Sequence, residues 1–368
     1  MDSATQSLSK IALQKFKKNF WGVFSLWFII VLLFMSIFAY LLAPDSSENA
    51  NQMHLAIHSK PPGFTVKLLS IPLQEPSDSK LANLFMGFPN QNSEIPIISY
   101  QIKGQKLVYT EFADLPELAQ TKEIGLDKFI GFSSINEVVA THIKEKTFYL
   151  GTDKYGRDLL SRMLIGSRIS LSIGFIAVLI SLVVGIFFGA LGGYFGGKVD
   201  AFVMWLVNII WSIPTLLLVI AITLTLGKGF WQVFVAVGLT MWVEVARVVR
   251  GQIISLKEMQ YITAARALGF GHVRIIFNHI LPNIMAPVIV ISAANFASAI
   301  LVESGLSFLG LGAQPPIPSW GGMIKDHYSY IILGKPFLAI VPGLAIMLLT
   351  LAFMMVGNAL RDALDVKS

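Results

Sequence analysis

The chain has 368 residues, 54% of them hydrophobic and only 14% charged, where soluble domains carry about 25% charge. With a mean hydropathy of +0.67, that composition excludes both a water-soluble globule and a disordered chain, and it describes an integral membrane protein. The net charge of +6 is uneven, because residues 45–168 hold 13 Lys+Arg against 14 Asp+Glu and the basic excess lies elsewhere; it reads as membrane orientation and not as nucleic-acid binding.

About 20 apolar residues are needed to cross roughly 30 Å of hydrocarbon. The first stretch that qualifies, 20–43, follows Lys10, Lys15, Lys17 and Lys18. It is longer than the apolar core of a signal peptide, about 7–15 residues, and is read as a retained anchor. Residues 45–148 then form a polar insert, expected to be a small α/β or β-rich domain. Ile95 to Phe112, with Gly104 between two β-prone runs, reads as a hairpin. His54 and His58 stand four residues apart but lack a clear third ligand, so both are taken as surface residues and no metal is expected. The chain has no cysteine, which removes disulfides and thiolate chemistry.

A second span is expected over 169–192. Gly185, Gly189, Gly193 and Gly197 recur every four residues, and on a helix they form one smooth stripe for close packing, either within the chain or against a partner helix. Gly192 to Val199, GGYFGGKV, imitates a phosphate-binding loop. Val199 lacks the hydroxyl that would ligate magnesium, and a membrane helix precedes it in place of a strand, so nucleotide binding is rejected. Further spans are read at 201–226, kinked by Pro214, at 230–246, which is short, at 283–311 and at 337–359. Glu303 suggests that the end of the 283–311 stretch leaves the hydrocarbon. Glu303 and Glu244 near membrane depth also raise a pathway role, although each stands near a helix end.

Residues 244–282 lie between the fourth and fifth spans. Ser255-Leu-Lys-Glu258 reads as a capping box, opening a helix over 256–268 that Gly269 closes in the left-handed conformation. A second short helix is expected over 271–280, with Pro282 at the re-entry to the membrane. Ala264, Ala265 and Ala267 give the first helix little bulk, beside Arg266, as a docking element would require.

Threading six spans with the N-terminus inside places Lys10, Lys15, Lys17, Lys18, Lys198, Arg247, Arg250, Lys257, Arg266, Arg274, Arg361 and Lys367 on the inner side. Only Lys228, Lys325 and Lys335 fall in short outer loops. Both termini are therefore expected in the cytoplasm and the 45–148 insert outside.

Thr263-Ala264-Ala265-Arg266-Ala267-Leu268-Gly269, followed by Ile280-Leu281-Pro282, resembles the cytoplasmic EAA loop of ABC importer permeases, with Thr263 in place of the Glu and His279 in place of an Ile. Gly151-Thr152-Asp153, Gly156-Arg157-Asp158 and Ser161-Arg162 resemble the segment before the second helix of dipeptide and oligopeptide permeases. Ser307 to Gly312 (SFLGLG) and Pro315 to Gly321 (PPIPSWG) are similar to further stretches of that group, as is Phe16-Lys-Lys-Asn19 opening a helix that ends at Pro44. The resemblance covers 10–44 and 149–365, and the insert lies outside it.

The resemblance implies an all-α polytopic membrane protein of six transmembrane helices, type I importer-like, in three parts: 1–44, the insert 45–148, and a core 149–368 with its coupling loop at 247–282. It implies a permease subunit of a peptide-moving ABC importer in the bacterial inner membrane. The partners would be a second permease, two ATPase subunits holding ATP and magnesium, and an outer solute-binding protein. No catalytic residue and no cofactor of its own are expected. Thr263, Ala264, Ala265, Arg266, Gly269, Leu281 and Pro282 would couple to the ATPase. Gly151, Thr152, Asp153, Gly156, Arg157 and Asp158 read as a cap and salt-bridge cluster at a helix start, ahead of direct solute contact. Related permeases serve nickel or other small solutes. An ion-coupled secondary transporter would show paired central charges and related halves, which this sequence lacks. A purely anchoring role for the helices leaves the ordered inner loop unexplained.

Overall fold

The structure is a computed structural model that describes residues 8–72, 83, 85–89, 92–129, 131–227 and 229–364. Lys228 and Lys367, counted above for orientation, lie outside the described residues. In chain order the elements are α1 (Leu8–Lys18), α2 (Phe20–Ile37), β1 (Phe64–Pro72), β2 (Asn92–Lys103), β3 (Lys106–Glu111), β4 (Thr121–Gly125), α3 (Ile135–His142) and β5 (Ile143–Phe148). There follow α4 (Leu159–Phe195), α5 (Gly197–Ser212), α6 (Thr215–Leu226), α7 (Phe230–Leu256), α8 (Gln260–Ala267), α9 (His272–Phe308), α10 (Trp320–His327) and α11 (Phe337–Leu364). The chain divides into two compact units.

The first unit comprises 1–33, 170–314 and 344–368. Asn19 separates α1 from α2 and caps the latter, its side-chain oxygen accepting from the Gly22 amide at 2.9 Å. Phe16 is buried against Ala359 and Ala363 of α11. Phe20, Trp21, Phe24 and Trp27 on α2 are exposed, as the lipid-facing side of a span would be. The main core joins Tyr194 of α4, Val245, Val249 and Ile253 of α7, Ile262 and Ala265 of α8, and Ile275 to Val288 of α9.

Among the described residues five helices are long and apolar enough to cross a membrane, and a sixth span exists if α5 and α6 count as one. That pair departs from the simple kink expected at Pro214: the two helices meet at 89°. Pro214 forces Ile213 into an extended conformation, and neither half alone spans roughly 30 Å. The span expected over 230–246 is not short, because α7 continues through charged residues to Leu256. The helix of the first span breaks at Phe38 and resumes for one turn over Ala39–Leu42, close to the expected end at 43. Glu303 is fully buried in α9 and accepts from the Ser307 hydroxyl at 2.7 Å.

The second unit comprises 34–169 and 315–343. Its sheet has strand order β4-β3-β2-β1-β5, all neighbours antiparallel. Lys103 pairs with Lys106 across a two-residue turn in which Gly104 takes a φ of +61°, the conformation that right-twisted hairpins favour. Leu69, Ile97, Leu107 and Tyr109 from alternate positions of three strands bury Ile135 and Val138 of α3, with Phe129, in one core.

Candidate functional site

The 257–282 loop does not begin with a capping box. Ser255 sits in the last turn of α7, its hydroxyl bonded to the Gly251 carbonyl at 3.3 Å, and α8 starts after Met259. The apolar periodicity of α7 outlasts the membrane stretch and absorbs the cap. The far end follows the expectation: Gly269 has a φ of +79°. The Phe270 amide reaches the Ala265 carbonyl at 3.1 Å and the Gly269 amide reaches Arg266 at 2.9 Å, the pair of bonds that closes a Schellman end. The second short helix is no separate element. His272–Arg274 runs through a π-helical stretch, Ile275–Ile280, into the rest of α9.

The residues expected to couple divide by face. Ala265 is buried with Ile262 in the main core, whereas Thr263, Ala264, Arg266 and Gly269 are exposed. Leu281 is half-buried and Pro282 exposed. The Arg266 guanidinium stands over the Tyr194 ring at 5.5 Å, and Tyr194 Oη lies 3.0 Å from His272 Nδ1. α8 is thus held at fixed orientation while Met259, Tyr261, Leu268, Val273 and Phe277 remain exposed around it. These apolar side chains, which the sequence reading passed over, were legible as the non-core positions of an otherwise amphipathic loop.

The glycine stripe packs within the unit. A methyl at Gly185 would meet Val245 and the Trp242 carbonyl, one at Gly189 the Ala246 carbonyl and Val249, and one at Gly193 Arg250 and Ile253. α4 and α7 approach closely along this line. Gly197 is not part of it: α4 ends at Phe195, Gly197 opens α5 at a φ of +51°, and nothing lies near its missing side chain. Asp200 of α5 and Arg250 of α7 form a bidentate ion pair, with Nη2 to Oδ2 at 2.6 Å.

In the second unit, residues 151–158 form a loop knitted to the 54–60 segment. The Thr152 hydroxyl donates to the Ile57 carbonyl at 2.5 Å and accepts from the Lys60 amide at 2.8 Å. Asp153 is fully buried. It accepts from the amides of Tyr155 (2.8 Å) and Arg157 (3.0 Å) and from Arg157 Nε (2.6 Å). Asp158 caps α4 through the Ser161 amide at 2.9 Å and its hydroxyl. Burial pushes the Asp158 carboxyl above its ordinary value, against the pull of Ser161. Gly151 and Gly156 have φ of +80° and +72°, and a side chain on either would run into the Lys60 or His54 carbonyl.

His54 is not a surface residue. It is buried, with Nδ1 3.2 Å from the Gly156 carbonyl oxygen and Nε2 3.2 Å from the Glu94 carboxylate. His58, the other half of the expected pair, is exposed. Across the loop, His327 of α10 is buried too, Nδ1 2.7 Å from the Met323 carbonyl and Nε2 accepting from the Lys154 amide at 3.4 Å. Lys154 Nζ pairs with Asp326 at 3.1 Å. Nothing in the sequence marks His54 or His327 as buried, because the Glu94 strand and the 151–158 loop that meet them are remote along the chain.

Helices long and apolar enough to cross a membrane, with an ordered loop between two of them, define the class of polytopic membrane proteins. Residues 163–367 match the family model of the binding-protein-dependent transport system inner membrane component, and 7–62 match the N-terminal transmembrane domain of oligopeptide transport permease C. The chain belongs to this family of multi-pass inner-membrane permeases and is a transport component, not an enzyme. It is 42% identical over 219 residues to the dipeptide transport system permease protein DppC of Alkalihalophilus pseudofirmus, covering 60% of this chain and 72% of that protein. It is 42% identical to the glutathione transport system permease protein GsiD of Pectobacterium atrosepticum, with the same coverage. To the oligopeptide transport system permease protein OppC of Bacillus subtilis it is 37% identical, over 64% of this chain and 77% of that one. Neither family model covers residues 63–162.

Proposed function

We propose that this chain is one of two membrane subunits of an ATP-driven importer of di- or oligopeptides. The named relatives are permease proteins of dipeptide, oligopeptide or glutathione transport systems, and the family model that this chain matches over 163–367 takes in its helical region and loop. In this reading ATP and magnesium are held by two partner ATPase subunits, a second permease completes the path, and a solute-binding protein delivers the peptide from outside. Both termini lie in the cytoplasm, the 257–282 loop lies on the same side, and the sheet of residues 64–148 stands outside.

The observation that carries the reading is the construction of α8. Ile262 and Ala265 fix it to the main core, its end is set by Gly269, and Met259, Tyr261 and Leu268 are left exposed. A rigid short helix with an uncovered apolar rim can transmit displacement, because a push on it moves α7 and α9 through packed side chains and not through slack chain. Closure of the ATPase pair would press on this rim and change the opening of the helix bundle. Thr263 presents a hydroxyl where a carboxylate is usual, so contact at that position is a neutral hydrogen bond.

The test is Gly269→Val. It places a β-branched residue in the left-handed conformation, which costs about 1–2 kcal/mol, and should abolish peptide uptake while membrane abundance stays near wild type. Full uptake by that variant removes the coupling role. Affinity purification of the tagged chain should bring an ATPase subunit with it, and its absence would reject the importer reading.

A further inference from the structure

α7 runs unbroken from Phe230 to Leu256. Glu244 therefore stands near its middle, about 21 Å from one end and about 18 Å from the other, and not at a helix end. Its neighbours Val243, Val245 and Ala246 are buried, whereas Glu244, Gly251, Gln252 and Ser255 are exposed and Val248 is half-buried. At helical spacing these residues make one open stripe along α7. Among the described residues nothing pairs with Glu244. Arg247, one turn on, is taken up elsewhere: its guanidinium carbon lies 3.5 Å from the centre of the Trp211 ring, and Nη2 donates to Asn208 Oδ1 at 2.8 Å. Where the stripe passes Val248 and Gln252 it forms one wall of a cavity of about 890 Å³, with Val290 and Ala294 of α9 and Asn358 and Arg361 of α11 on the others. α9 and α11 close on each other beside it, where a methyl on Gly357 would meet Ala293 at 3.2 Å.

Two occupants suit walls of this kind. An acyl chain would fit Val248, Val290 and Ala294. Lipid along the stripe would, however, also set the Glu244 carboxylate, one turn further, in hydrocarbon. Ionisable side chains at that depth face a water-filled cavity or a partner instead. A passing peptide brings the cation that Glu244 lacks. A metal ion would need several oxygen ligands, and no cluster of three acidic or histidine side chains occurs among the described residues. Resting on the importer reading, we propose that this cavity is part of the path of the transported peptide and that Glu244 takes the peptide's α-ammonium as it passes. Gln252 and Asn358 offer amide groups to the peptide backbone. Arg361, in the last turn of α11, offers a cation to its carboxylate. The opposite charges thus stand at separate places on the walls, as a zwitterion with its two ends apart requires.

The test uses the assembled importer and single cysteines, because the chain has none of its own. Glu244→Cys, Val248→Cys and Gln252→Cys are treated in nanodiscs with a charged, lipid-insoluble thiosulfonate reagent. Trp27→Cys, on the exposed side of α2, is the lipid-facing reference. The three should be labelled and the reference not, and trialanine during turnover should slow the labelling. Three sites as unreactive as the reference would put lipid or a partner helix on the stripe and overturn the proposal. In vesicles, Glu244→Gln at wild-type abundance should lower the maximal rate of trialanine uptake about tenfold, the loss of one charge-assisted hydrogen bond. The half-saturating concentration should not change, since delivery from the outer binding protein sets it, and Glu244→Asp should restore most of the rate. A wild-type rate for Glu244→Gln removes Glu244 from the path and leaves the importer reading intact. A wild type that takes up neither dialanine nor trialanine rejects that reading, and the peptide as occupant of the cavity with it.

Discussion

The two loops that carry this chain's recognisable motifs are built in opposite ways. At 257–282 the decisive glycine, Gly269, has a positive φ and open space around it. At 151–158 Gly151 and Gly156 have the same kind of φ but are jammed against the backbone of residues 54–61. The first glycine answers only to conformation, the second pair to conformation and to space. A loop of the first kind keeps a surface uncovered for something else, and a loop of the second kind is already occupied by its own chain. The same division separates Arg266 and Leu268, which are exposed, from Asp153 and Arg157, which are sealed with every carboxylate oxygen of Asp153 engaged.

The sharpest way to break this comparison is Gly156→Ala. It combines a left-handed backbone with a methyl driven into the His54 carbonyl, so a loss of about 2–5 kcal/mol is expected, read as a collapse in the yield and melting temperature of purified protein. Retention of wild-type melting would show that the two segments are not locked together. Next in size is Gly189→Leu on the α4–α7 line, where the Ala246 carbonyl and Val249 leave no room. Overpacking there should cost about 1–3 kcal/mol, whereas Gly197→Ala, off that line, should cost about 1 kcal/mol from its φ alone. Equal melting losses for the two would return Gly197 to the stripe. The smallest effect belongs to Gly269→Asn. Asparagine tolerates the left-handed region and has space at this position, so uptake should stay near wild type, in contrast to the loss expected for valine. Failure of the asparagine variant at normal abundance would mean that a partner touches Cα of residue 269 itself.

The sequence by itself settled the membrane class and the family, because apolar length and local motifs survive without knowledge of the fold. It also placed Gly104 and Gly269 at their turns, since a positive φ next to the end of a periodic run is a local demand. The bends and burials were decided elsewhere. Whether Pro214 would kink a helix or turn it through 89°, whether Ser255 would cap a helix or end one, and whether Ala265 would face outward depended on what packed against them. His54 and His327 were misread or passed over for one physical reason: a polar side chain is buried or exposed according to the partners it finds, and theirs come from a strand and a loop that only the folded chain brings close.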